Sequence, residues 1–171
     1  HLKRNSRSID EFAELAFESE SFENGAPLAA ALLHHHGLML LSLDENEAAQ
    51  TSVRRSLTLR ESIEDKEGMI YGLAVLSHCA RIAQDWDTAI LHDTRRLELA
   101  IALEKDVLRM EALADMAHAQ ASLGELGTAS EMYQESLDLA KRLEDPAGHL
   151  VASWGIADLA EIEMRYNDAL L

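Results

Sequence analysis

Shifted by forty residues, the chain falls back into register with itself. Ala49, Ala89, Ala129 and Ala169 align, as do Leu57, Leu97 and Leu137, then Leu59, Leu99 and Leu139, and then Ile63, Leu103 and Leu143. Acids keep the same period at Glu64, Glu104 and Glu144. A period of this length marks a stack of supersecondary units, each burying its apolar face against its neighbours.

Two prolines, eight glycines and abundant Ala, Leu and Glu make the chain almost entirely helical, and no strand signal interrupts it. Each forty-residue unit holds two amphipathic helices. The predicted spans are 27–43 and 46–63, 67–84 and 86–104, 107–124 and 126–143, then 147–163, with a further helix starting at 166. The fold class is therefore all-α, a superhelical solenoid of antiparallel helix pairs. Residues 1–171 form one repeat domain: a half repeat at 1–25, repeats at 26–65, 66–105 and 106–145, and a partial repeat at 146–171. The half repeat follows from Ile9, Ala13 and Phe17, which lie forty before Ala49, Val53 and Leu57. Asp65, Asp106 and Asp145 are the expected N-caps, and Pro146 suits a first helical position.

The formal charge of −16 argues against nucleic acid or an anionic membrane as partner, because both require a cationic face. A basic or polar peptide fits better. A single cysteine, Cys79, allows no internal disulfide and no zinc spacing, which suggests a reducing, cytoplasmic setting. No stretch reads as a membrane span. The opening "HLKRNSRS" lacks an initial Met and reads as a fragment of something longer. Arg54-Arg55 and Arg95-Arg96 make a modest basic stripe, expected to form a local ion-pair surface. No phosphate loop, nucleophile elbow or zinc-protease motif is present, so no enzyme is expected and no cofactor or metal is assigned.

The units resemble tetratricopeptide repeats. The family's Leu-Gly site reads His36-Gly37, Leu76-Ser77, Met116-Ala117 and Ile156-Ala157. Its turn position reads Asp44, Gln84, Gly124 and Met164, and its small residue after the turn is the Ala49 series. The second-helix aromatic is matched by Tyr133, with Val53 and Asp93 as departures. The length is similar to the forty-residue variety in MalT-like and LuxR-like bacterial regulators and in kinesin light chains. HEAT-type repeats have a compatible period. Such repeats specify architecture and leave function open.

The resemblance implies that the first helix of each unit lines a concave groove. The residues it places there include His34, Tyr71, His78, Arg81, Glu111, His118, Trp154, Asp158 and Glu161. Tyr71 and Trp154 are the apolar anchors, and the charged members set orientation and a mild preference for basic segments. The Lys and Asn that bind a terminal carboxylate in part of the family are absent, so no such ligand is expected. His34, His35 and His36 point about 100° apart on a helix and cannot share one ion. His36 falls on the inter-helix core and is expected to be a packed, hydrogen-bonded imidazole. His78, His118 and Asp158 share one repeat position, but stacked helices lie too far apart for a common metal. Cys79 reads as a small core residue and Trp86 as packing beside a turn. Three functions follow: a protein-binding scaffold, the sensor or regulatory segment of a larger bacterial signalling protein or transcription regulator, or a self-assembly module completed through its terminal helices.

Overall fold

The computed structural model describes residue 11 and residues 25–169, with side chains to 165. The predicted half repeat at 1–25 lies almost wholly outside that range. Among the described residues there are helices and turns and no strand. In chain order the helices are α1 (Gly25–Leu41), α2 (Asn46–Ser62), α3 (Lys66–Ile82), α4 (Trp86–Ala102), α5 (Asp106–Ser122), α6 (Leu126–Arg142) and α7 (Pro146–Ala169). The first six are each 17 residues long.

A three-residue link joins each helix from α2 onward to the next, and its chemistry repeats. The middle residue takes a left-handed conformation, with φ of 55° at Glu64, 58° at Gln84, 53° at Glu104, 86° at Gly124 and 54° at Glu144; Asp44 has 61° in the first link. The residue after it donates its backbone N–H to a carbonyl five residues back: Glu45 to Leu40, Asp65 to Arg60, Lys105 to Ala100, Glu125 to Gln120 and Asp145 to Ala140. This is the Schellman closure, which satisfies the orphan carbonyls of a helix C-terminus. The repeating acids Glu64, Glu104 and Glu144 are thus turn residues. Asp65 and Asp145 also cap the next helix, accepting from the N–H of Gly68 and Ala147. Asp85 does the same for Thr88, which holds its carboxyl below the ordinary range. Asp106 does not cap: it is the first residue of α5, and the cap position belongs to Lys105.

The second departure is at the C-terminus. α7 runs unbroken through Met164, where a turn was expected, and takes in the predicted start of another helix at 166. Met164 stands at the repeat position where Asp44, Gln84 and Gly124 take a left-handed conformation, and here the helix continues instead.

The chain gathers into two compact units, residues 1–82 and 83–171, so the predicted repeat 66–105 has α3 in one unit and α4 in the other. In the first unit, α2 packs against both α1 and α3. At Gly37 the two backbones of α1 and α2 approach closely: a Cβ there would lie 2.3 Å from Val53 Cγ2 and 3.2 Å from the Ala49 carbonyl. Ser52 and Ser56 of α2 lock the seam by donating to the carbonyls of Leu33 (2.8 Å) and Ala30 (2.6 Å). In the second unit, α4, α5, α6 and α7 pack in succession, and α5 also touches α7. Ala117, Ala129, Tyr133 and Leu159 are buried there in one cluster. The Tyr133 ring lies on Gly155 of α7, where a Cβ would come within 2.2 Å of it. Burial of each large side chain of this kind contributes about 1.5–3 kcal/mol.

Candidate functional site

In the first unit the repeat register sends one face of each first helix outward. Tyr71 on α3 is 46% exposed and His78 one turn-pair further along is also exposed. Arg81 follows on the same helix, half-buried, and donates back to Ser77 Oγ at 3.1 Å, which ties the guanidinium to its own helix. His34 on α1 is half-buried, with its ring set edge-on to His35 at 5.8 Å. Burial first, then the Arg60 and His35 charges, push its pKa below 6.5. His36 is buried, with Nδ1 3.2 Å from Ser52 Oγ. Because that hydroxyl gives its proton to Leu33, the imidazole acts as donor to it. Cys79 is fully buried, which raises its thiol pKa and makes it a packing residue.

In the second unit His118 is exposed on α5, with its ring edge-on to Trp86 at 5.8 Å. Trp154 on α7 is 66% exposed, and Asp158 is exposed one turn on. Glu161 pairs with Arg165 on its own helix. Glu111, exposed on α5, belongs to a cluster that sequence patterning did not reveal.

That cluster centres on Arg96. Far from forming a surface stripe with Arg95, Arg96 is 3% exposed. Its Nη1 donates to Asp115 at 2.6 Å and to Asp93 at 3.5 Å, and its Nη2 donates to Glu111 at 2.9 Å. Asp93 is wholly buried, and an ion there is tolerable only when paired. The signal was present in the register. Arg96 aligns with Ser56 and Ser136, both buried, and Asp93 aligns with the core residues Val53 and Tyr133. A charge at each of two inward positions, three residues apart, is what a buried pair requires. Beside the cluster lies a cleft of about 290 Å³, lined by Met110 and Val151 and by the charged groups Arg96, Glu111, Asp115 and Asp145. Three of those four charges are acidic, so the cleft favours a cation.

No group of three or more His, Cys, Asp or Glu side chains among the described residues could hold a metal ion, and no described helix is long and apolar enough to cross a membrane. Scanned against models of known protein families the chain matches none, and no curated protein is significantly similar to it.

Proposed function

We propose that the chain is a non-enzymatic interaction module, a tetratricopeptide-like superhelix that binds a basic peptide segment along the outward faces of its first helices. The observation that carries this is the acidic cleft of the second unit, lined from α7 by Ala147, Gly148 and Val151. Tyr71 and Trp154 are held open on helices whose opposite sides are buried, and Glu111, Asp115 and Asp145 line an acidic cleft. The forty-residue register of buried Ala49, Ala89 and Ala129 and the common left-handed turn support the superhelix. Tyr71 and Trp154 would supply apolar contact, while Glu111, Asp158 and Glu161 orient Lys or Arg side chains; His34, His78, Arg81 and His118 complete the lining.

The test is selection from a random peptide library on the immobilised chain, followed by titration of the recovered peptides. Enrichment of Lys- and Arg-containing sequences, with affinity lowered at least tenfold by Tyr71→Ala and Trp154→Ala at unchanged helicity, is the expected result. Recovery of acidic sequences, or affinity untouched by both substitutions, sinks the proposal.

A further inference from the structure

The cleft of the second unit has a counterpart in the first, and there it is filled. Two periods apart, Ser56, Asp65 and Gly68 stand where Ser136, Asp145 and Gly148 stand. Both serines donate to a carbonyl of the preceding helix, Ala30 in one case and Met110 in the other, and both aspartates cap the following helix. In the first unit Arg60 threads through this frame. Its Nε donates to Ser56 Oγ at 3.3 Å and its Nη1 to Asp65 Oδ2 at 2.5 Å. The guanidinium lies over Gly68, where a Cβ would collide with it. The side chain is only 13% exposed, and its charge is felt by His34 on α1.

The second unit keeps the frame without the filling. Ala140 stands in place of Arg60 and Ala114 in place of His34, so two long polar side chains are exchanged for methyl groups. Between Ser136, Asp145 and Gly148 lies the cleft of about 290 Å³. Ser136 Oγ gives its proton to Met110 and keeps lone pairs with which to accept, as Ser56 Oγ does for Arg60. Asp145 uses Oδ1 for the Ala147 N–H, and Oδ2 receives no hydrogen bond from a described residue. Glu111, in place of Ala31, adds a carboxylate that the first unit does not have. A guanidinium entering the cleft therefore meets the two acceptors that hold Arg60, with more negative charge around them. Its rigid fork reaches a hydroxyl and a carboxylate at once, whereas a lysine ammonium is a single, more strongly hydrated point.

We propose that the cleft receives an arginine side chain of the bound peptide, its guanidinium donating to Ser136 Oγ and Asp145 Oδ2 as Arg60 does to Ser56 and Asp65. The inference rests on the peptide-binding reading and names the side chain that the acidic cleft selects. The tip of Met110 lies over Gly148, where the Arg60 guanidinium lies over Gly68. Unbranched and flexible, it turns aside on entry, and its methyl group reports the event.

The test titrates the whole chain with a small probe, Nα-acetylarginine methylamide, and follows the Met110 methyl resonance. A saturable shift is expected, with the neutral citrulline counterpart at least tenfold weaker and the lysine counterpart at least threefold weaker. Asp145→Asn keeps a capping oxygen and should weaken the probe at least tenfold. Ala140→Arg, which fills the cleft as Arg60 fills its counterpart, should abolish the response. Ala140 is buried, so circular dichroism accompanies that variant, and if it unfolds Asp145→Asn and Glu111→Gln decide. An unmoved Met110 resonance overturns the proposal, as does equal affinity for the citrulline probe or indifference to Asp145→Asn. Library peptides separate the two readings. Basic peptides that need Tyr71 and Trp154 but tolerate citrulline at every arginine remove the arginine site and leave the scaffold. A probe that binds as expected while no basic peptide is recovered removes the scaffold and leaves the guanidinium site.

Discussion

The α1–α2 seam and the α4–α5 seam put the same repeat positions to opposite use. At position 56 a serine hydroxyl reaches a backbone carbonyl on α1, and at position 53 a valine fills the gap beside Gly37. At the equivalent positions 96 and 93 stand an arginine and an aspartate, and the arginine bridges from α4 to Glu111 and Asp115 on α5. The first seam is held by shape and by hydrogen bonds whose donors and acceptors are neutral. The second relies on Arg96 and Asp93, both withdrawn from water, with the guanidinium also reaching the partly exposed Glu111 and Asp115. One register can therefore carry two kinds of seam, and they should fail differently.

Removing Arg96 should produce the largest effect. Arg96→Met leaves Asp93 buried without its guanidinium and is expected to cost about 3–5 kcal/mol in urea unfolding, whereas Ser56→Ala in the other seam should cost about 1 kcal/mol. The double variant Asp93→Leu with Arg96→Met should recover most of the loss, because it removes the charge rather than stranding it. Failure of that recovery would mean that Asp93 is sustained by something other than Arg96.

The next effect probes shape alone. Gly37→Ala adds a methyl 2.3 Å from Val53 Cγ2 and is expected to destabilise the first unit by about 1–3 kcal/mol. Val53→Ala in the same chain should relieve the clash, so the pair should be far from additive. Additive losses would show that α1 and α2 do not meet there.

The smallest effect is the dependence on pH. His34 has a folded pKa lowered below 6.5, so the unfolded chain takes up a proton more readily than the folded one. Its contribution is intact above 6.5 and is lost as pH falls from there toward the depressed folded value. Thermal midpoints of the chain and of His34→Gln should converge above that range, and the parent should decline more steeply below it.

The forty-residue period exposed most of the helical plan because it sits in residues that face inward. Ala49, Ala89 and Ala129 are all fully buried, and up to the start of α7 the expected helix ends fall within about two residues of those observed. Tyr71, His78, His118 and Trp154, which the resemblance places on the first-helix faces, are exposed as well. What escaped were features with no periodic echo. The buried ion set exists in one seam only, so Arg96 looked like the neighbour of Arg95 on a surface. The run of α7 through Met164 breaks the period at a place where a repeat alignment supplies a turn by default. Asp106 stands one place past the cap position, which Asp65 and Asp145 fill in their links and Lys105 fills here, so that one residue both closes α4 and precedes α5.

That shared residue sets a constraint beyond local geometry. From α2 onward helices begin at 46, 66, 86, 106, 126 and 146, a strict cadence with no slack between one helix and the next. A single inserted codon inside a helix would turn every later side chain in it by about 100°, away from the partner it was shaped for. A whole block of one helix and its link preserves the facing but reverses the direction of travel, and two blocks restore both. A gene encoding such a chain can lengthen or shorten without penalty only by paired blocks, so its history of duplication is constrained by the turn rather than by the core.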